Sequence, residues 1–440
     1  MPAESALATP ATEQSFPEQL KKRQRSLQLL GILCGFTAGA WLGAAEAPTK
    51  LVSIGVSPMV ISLIMVVGVF LARWSLPALV MGTSSVRADV QRAPHLIIWA
   101  LLAGCLWAVA NTLTIFAIRD VGLSIAFPLW NSNSLLGILW GFLFFRELRQ
   151  AGWRKWAGVL GGTAVMCTGA AVLAIASAAQ RTSAEHSFSG VWAALGAGVL
   201  WGTMYIPYRK AYLTGMNPLS FVTFFTFGEL GMMGTLALST IGIAPLWHEL
   251  VQARTVVFWL MLGGFIWVVG DLFQQYAAKY VGISRGIPLS NTNQLWGMLW
   301  GILVFGELHG KSQTTYVEVI GGSLLMMVGV GAIAFSSAGG EEQKHWKEAA
   351  DREGERYGIS ADFVTARFEG RQTTGEARPG RGVLDWILVG VATAILAGFA
   401  AIARVPEFSF HWGPALALTL ALVVLLFFCG RKLWRTTQFH

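Results

Sequence analysis

Apolar runs of about 20 residues recur along nearly the whole chain, each long enough to cross a hydrocarbon layer about 30 Å thick. A backbone in that layer must satisfy its own hydrogen bonds, so single-segment runs of this kind can only form helices. The runs lie near residues 27–47, 57–73, 95–118, 123–145, 155–178, 188–208, 217–241, 255–278, 283–305, 315–337, 383–403 and 413–430. These spans leave no space for a large soluble domain. The composition agrees, with 54% hydrophobic and 13% charged residues and a mean hydropathy of +0.55. The expected fold class is an all-α polytopic membrane protein. Fifty Gly and 19 Trp suit it, because small residues let membrane helices approach and Trp gathers at interfaces and cavities. Cys34, Cys105, Cys167 and Cys429 fall in apolar segments with no paired spacing, which argues against a disulfide framework or a metal site.

An internal repeat narrows the fold further. Residues 121–148 (VGLSIAFPLWNSNSLLGILWGFLFFREL) and 281–308 (VGISRGIPLSNTNQLWGMLWGILVFGEL) share 16 identities in 28 ungapped positions. The same offset of 160 places Trp107 on Trp267, Asn111 on Asp271 and Gly161-Gly162 on Gly321-Gly322. With one residue of slippage, Gly43, Pro48 and Lys50 fall on Gly202, Pro207 and Arg209. The first ten spans are therefore two copies of five, and because five is odd the copies must cross the membrane in opposite senses.

The basic residues agree. With the N-terminus in the cytoplasm, 26 of the 32 Lys and Arg lie inside and six outside (Lys50, Arg119, Arg181, Arg254, Lys311, Arg404). Arg146, Arg149, Arg154 and Lys155, in an inner loop of the first copy, align with Gly306, His309, Thr314 and Thr315 in an outer loop of the second. The net charge of +8 thus follows topology and does not point to nucleic acid. Inverted repeats are the architecture of secondary transporters, whose site lies between the halves near the bilayer midplane. The expected organisation is a cytoplasmic tail (1–26), a first five-helix repeat (27–178), a second inverted repeat (188–337), a cytoplasmic linker (338–382), two extra membrane helices (383–430) and a cytoplasmic C-terminal tail (431–440). The linker carries 17 charges in 45 residues and reads as solvated, with charge pairs suited to a surface helix in its first part.

Phe145-Arg146-Glu147-Leu148 before the Gly-rich fifth span, and Phe305-Gly306-Glu307-Leu308 before the tenth, resemble the drug/metabolite transporter superfamily. Within it, Trp201-Gly202-x-x-Tyr205-x-Pro207 with Arg209 and Lys210, and the Val-Gly-x-Ser start of each fourth span, resemble the glucose/ribose porter and rhamnose-proton symporter branches. The superfamily likeness covers about residues 27–337; the last two spans depart from its ten-helix pattern. The resemblance implies uptake of a monosaccharide, coupled to protons or sodium, across the plasma (bacterial inner) membrane. The alternative it leaves open is an exporter of drugs or amphipathic metabolites. An enzyme has no support, since His-Glu-x-x-His and the full Gly-x-x-x-x-Gly-Lys-Ser/Thr phosphate loop are both absent. No cofactor is expected beyond the coupling ion. Membrane lipid surrounds the chain, and Gly-rich faces would allow a homodimer.

Ionisable residues inside a span cost about 2.5–3.5 kcal/mol on insertion scales, so those that persist invite a functional reading. Asp271 is the leading candidate for ion coupling, because its repeat counterpart is the neutral Asn111 and Trp267 and Gln274 share its helical face. Glu229, in the middle of the seventh span, is a second. Glu46 and Lys50 stand four apart and are expected to neutralise each other across one turn. Glu147 and Glu307 occupy equivalent helix ends and read as structural.

Pro128 and Pro288 each remove a backbone donor inside a span, and such discontinuities line cavities rather than face lipid. Beyond them come Asn131 and Asn133, then Asn291, Asn293 and Gln294, amides that donate and accept at once, as sugar hydroxyls require. Trp107, Trp201, Tyr205 and Trp267 offer rigid surfaces for the apolar face of a sugar. The expected site is a Trp-lined polar cavity between spans 1, 3, 4, 6, 8 and 9 that contains Asp271. Arg285 stands at the start of the ninth span as a candidate gate or anchor.

Overall fold

The computed structural model describes residues 15–51, 55–145, 152–179, 184–336, 348, 350–352, 354–368, 380–404 and 410–437, which are helical with short connections. The first span is α1 (Ser15–Ala45), continued after a turn at Glu46 by α2 (Ala47–Leu51). Then follow α3 (Pro58–Val80), the short α4 (Thr83–Arg92), α5 (Leu96–Val121), α6 (Leu123–Trp130), α7 (Asn133–Phe145) and α8 (Trp153–Ala179). The second copy runs α9 (Ala184–Leu213), α10 (Pro218–Ile241), the short α11 (Ile243–Gln252), α12 (Val257–Val281), α13 (Ile283–Ser290), α14 (Asn293–Leu299) with a π turn at Trp300–Val304, and α15 (Gln313–Ser336). A short α16 (Ala361–Phe368) precedes the final α17 (Val383–Ile402) and α18 (Trp412–Thr437).

Local sequence signals explain the boundaries, and they repeat at the same offset. The side chains of Ser57 and Asn217 accept from Val60 N and Leu219 N, with Pro58 and Pro218 at the first helical position. Gly122 and Gly282, at φ 80° and 82°, end α5 and α12 in a backbone conformation that side chains disfavour, and turn the chain directly into α6 and α13.

Among the described residues, ten helices are continuous, long and apolar enough to cross a membrane. The fourth and ninth spans are instead each broken into two short helices, α6–α7 and α13–α14. The break is not at the prolines. Helix α13 runs through Pro288 and stops at Asn291-Thr292, as α6 stops at Asn131-Ser132. There tight turns replace the ladder: Ser134 N and Leu135 N donate to Asn131 O and Ser132 O, and Gln294 N and Leu295 N donate to Asn291 O and Thr292 O. Asn, Ser and Thr side chains compete with helical backbone bonding, which is why the Asn-Ser/Thr-Asn triplet sets the position. The side chains of Pro128 and Arg285, and Glu147 altogether, lie outside the described residues.

Two contacts establish the inversion. Helices α8 and α15, the fifth spans of the two copies, cross antiparallel: Gly162 faces Gly329 and Gly169 faces Gly322. The broken spans also cross antiparallel, with Phe127 against Gly297, Asn131 against Asn293, Asn133 against Asn291 and Gly137 against Ile287. Equivalent helices that run in opposite directions mean that the copies are related by a twofold axis, which passes beside Ser132 and Thr292. Other pairings obey it: α1 lies along α12 and α14 as α9 lies along α5 and α7.

The extra helices dock outside this core, α17 on α3 and α18 on α1. Trp41 Nε1 donates to Leu422 O at 3.1 Å. Cys34 and Cys429, far apart in sequence, bring their free thiols to 3.7 Å. Asp385 accepts from Gly382 N and Thr83 N, both at 2.7 Å, and so caps α17 and ties it to α4.

Part of the 338–382 segment departs from the solvated linker expected. Ala350, Ile359, Phe363, Val364 and Arg367 are buried. Phe363 packs over Gly215, Tyr357 stacks on His95 with centroids 3.6 Å apart, and Arg367 lies 3.5 Å from Asp89. Charge-rich composition conceals the few apolar residues at spacings that give this segment a face to bury.

Candidate functional site

The crossing of the two broken helices places the amides at the centre of the molecule. Asn131 Nδ2 donates to Asn293 Oδ1 at 2.6 Å, and Asn291 Nδ2 donates to Asn133 Oδ1 at 2.8 Å and to Asn131 O at 3.0 Å. The two side-chain pairs are equivalent under the twofold axis. All four asparagines line a small cavity of about 30 Å³. Its walls are Leu42 and Glu46 from the end of the first span, Phe127 and Trp130 from α6, Trp201, Met204 and Tyr205 from α9, and Trp267 and Gln274 from α12.

Aromatic packing shapes those walls. Trp130 meets Phe127 at 4.5 Å and stands edge-on to Trp201 at 5.7 Å, 89° between planes. The indole nitrogens of Trp130 and Trp201 and the Oδ1 of Asn131 are buried without a hydrogen-bond partner among the described residues. Nearly all buried polar groups in proteins are paired, so three such groups at one cavity mark places that a hydroxylated ligand can complete. Gln274 Nε2 donates to Ser290 Oγ at 2.5 Å, which anchors the amide to α13.

Three candidates from the sequence stand behind the wall rather than in it. Trp107 is buried and packs edge-on to Trp267 at 4.7 Å. Asn111 Nδ2 donates to Ser62 Oγ at 2.8 Å, a tether between α5 and α3. Gln294 is enclosed on α14, away from the cavity lining. Helical phase decides these outcomes, since a span in a bundle presents only part of its circumference to the cavity.

Asp271 is not among the residues lining the cavity, in contrast to the expected cavity containing it, although Trp267 and Gln274 on either side of it along α12 are. Its Oδ2 accepts from Arg73 Nη2 at 2.9 Å and its Oδ1 from Gln275 Nε2 at 2.7 Å, and Tyr212 in turn donates to Gln275 Oε1. Arg73 is fully buried, with its guanidinium 4.4 Å from the Phe225 ring and 5.1 Å from that of Trp267. Its Nη2 is also 3.9 Å from Glu229 Oε1, and neither oxygen of Glu229 has a hydrogen-bond partner among the described residues. Under the repeat offset, Arg73, Glu229 and Asp271 correspond to Met233, Val69 and Asn111. The charged cluster therefore exists on one side of the twofold axis only.

Arg73 escapes a reading that ends the second span at residue 73. The signal lies just beyond it: Leu76–Val80 stays apolar, and α3 continues to Val80, with Arg73 well inside. The expected Glu46–Lys50 couple is absent. Lys50 Nζ reaches Glu307 Oε1 at 2.5 Å, and Glu307 also accepts from Leu123 N at 3.2 Å. Glu46 instead accepts from Thr49 Oγ1 at 3.0 Å and faces the cavity. The helical bond from Lys50 N to Glu46 O is intact, and it is the side chain of Lys50, drawn to Glu307 of the other copy, that leaves Glu46.

Comparison with known proteins gives a consistent picture. Residues 215–359 match the family described as sugar transport protein, which is not an enzyme class. The chain is 25% identical over 240 residues to the probable glucose uptake protein GlcU of Staphylococcus aureus (strain MRSA252), covering 51% of this chain and 74% of that protein. It is also 25% identical over 224 residues to the glucose uptake protein GlcU of Staphylococcus xylosus, covering 50% of this chain and 71% of that one.

Proposed function

From the premise that this chain is a multi-pass membrane relative of the sugar transport proteins, we propose that it imports a monosaccharide across the plasma (bacterial inner) membrane by alternating access. The observation that carries the reading is the central cavity, where Asn131, Asn133, Asn291 and Asn293 meet beside Trp201 and Tyr205 with hydrogen-bonding groups left over. Sugars offer hydroxyls that need both donors and acceptors, and apolar ring faces that suit aromatic side chains. The cavity sits where the two inverted copies cross, so rocking one copy against the other exposes it to each side in turn. The basic residues orient both termini toward the cytoplasm. In that orientation Lys50, Glu307 and the start of α6 close the outer end.

Proton coupling belongs to the cluster behind the cavity. One guanidinium, Arg73, faces two carboxylates, so a single proton makes the cluster neutral. Asp271 is already held by Arg73 and Gln275, which leaves Glu229 as the group to carry the proton. Asp271 serves as the fixed partner, one turn from Trp267 and Gln274 in the cavity wall.

Uptake of labelled sugars into proteoliposomes, with and without an inward proton gradient, tests the proposal. We expect the wild type to accumulate a monosaccharide when the gradient is present. Asp271→Asn and Glu229→Gln should lose that accumulation, with Glu229→Gln retaining sugar exchange between equal pools. Failure to take up any sugar, together with extrusion of an amphipathic dye, would favour an exporter.

A further inference from the structure

Resting on the sugar-transport reading, we infer that Glu46 is the carboxylate that recognises adjacent hydroxyls of the sugar, opposite an aromatic platform formed by Trp201 and Tyr205. Glu46 is 3% exposed and is the one carboxylate among the residues lining the cavity. The cation one turn away, Lys50, is committed to Glu307 at 2.5 Å. Among the described residues, the one side-chain donor to Glu46 is Thr49 Oγ1, which reaches Oε2 at 3.0 Å while also bonding Glu46 O at 2.8 Å. Thr49 thus holds one edge of the carboxylate in place and leaves its remaining lone pairs directed to the cavity.

The repeat makes this assignment more specific. With the one-residue slippage that places Gly43 on Gly202 and Pro48 on Pro207, Glu46 falls on Tyr205 and Leu42 on Trp201. All four residues line the cavity, two from each copy. The twofold axis therefore sets a carboxylate above an aliphatic side chain on one wall and a phenol above an indole on the other. The backbone is symmetric and the chemistry is not. A symmetric site would accept a ligand in two opposite poses. Here an apolar ring face is drawn to the Trp201 and Tyr205 wall, and hydroxyl donors are drawn to the Glu46 wall, where a carboxyl group offers two oxygens. A carboxylate accepts through two oxygens side by side, which matches two hydroxyls on neighbouring carbons. The central asparagines, which can both donate and accept, then complete the remaining hydroxyls. Glu46 in this role sets specificity, favouring polyols with an intact adjacent pair over deoxy analogues, because a missing hydroxyl leaves a buried acceptor unpaired.

The test measures counterflow of a labelled monosaccharide in proteoliposomes for wild type, E46Q and E46D, with the corresponding deoxy sugars as competitors. Hydrophobic carbodiimide modification of Glu46 in the wild type, read by mass spectrometry with and without saturating sugar, gives an arm that does not depend on a variant folding. We expect E46Q to weaken half-saturation by about tenfold to hundredfold, the range for a hydrogen bond to a charged group. E46D should fall between E46Q and wild type, and sugar should protect Glu46 from modification. Half-saturation of E46Q within about twofold of wild type, well under the effect of one such bond, overturns the assignment. So does modification of Glu46 to the same extent at saturating sugar, or protection by an organic cation and not by sugar. Wild-type protein that exchanges no sugar at all overturns the transport reading and this assignment with it.

Discussion

At the scale of single residues, the cluster around Arg73 takes a guanidinium and two carboxylates out of water. A guanidinium enclosed by α3, α10 and α12 loses its hydration, and Asp271 at 2.9 Å is the contact that offsets the loss. Removing Arg73 leaves Asp271 and Glu229 buried without a counter-charge, and removing Asp271 leaves Arg73 only the more distant Glu229 at 3.9 Å, where breaking a comparable buried pair costs about 3–5 kcal/mol. Arg73→Met and Asp271→Asn should therefore each lower thermal stability in detergent sharply. The double variant, which leaves Glu229 as the one charged group of the cluster, should recover part of the loss. A double variant no more stable than the worse single one would mean that the two charges are not coupled. Glu46 shows the opposite case, a carboxylate that the fold leaves facing a polar cavity instead of pairing with its neighbour in sequence.

At the scale of elements, the two broken spans organise the site. Each break frees backbone groups that only a protein interior or a polar cavity can accommodate, and the crossing of α6–α7 with α13–α14 supplies both. Helix α1 must approach that crossing closely. A Cβ at Gly39 would stand 1.9 Å from Thr292 Oγ1 and 2.9 Å from Ser290 O, both at the break of the ninth span. Gly161 on α8 has nothing within 4 Å of the same position. Gly39→Ala should therefore slow sugar exchange by about tenfold or more, the consequence of a barrier increase of about 1.4 kcal/mol. Gly161→Ala should leave exchange unchanged. Equal rates in the two variants would show that the close contact of α1 with the break is not needed for transport.

At the scale of the whole molecule, the twofold axis relates backbones while the side chains depart from it in two places, the Arg73 cluster and the pair Glu46 and Tyr205. These departures give a ligand one favoured pose and confine the ionisable cluster to one half of the molecule. The segment that joins the core to α17 adds another asymmetry, because it packs on a single end of the bundle. Phe363 lies over Gly215, and Arg367 sits between Asp89 and the Phe363 ring. Arg367→Ala should raise amide hydrogen exchange across residues 354–368 by about tenfold while α8 and α15 keep their protection. Unchanged exchange would assign the docking to Phe363 and Val364 alone.

The sequence by itself determined the architecture. Span length follows from bilayer thickness, and the repeat at an offset of 160 with an odd number of spans requires inversion. The asparagine triplets, Trp201, Tyr205, Trp267 and Gln274 were legible as cavity residues because amides and indoles inside a membrane need partners that lipid cannot provide. What the tertiary structure decided was which side chains meet. Helical phase placed Trp107, Asn111 and Gln294 behind the wall, and Glu307 of the other copy drew Lys50 away from Glu46. Arg73 came from one copy to meet Asp271 and Glu229 of the other, and residues 357–367 found a surface to cover. Each of these is a contact between elements distant in the chain, and such contacts depend on the relative rotation of packed helices, which local spacing does not encode.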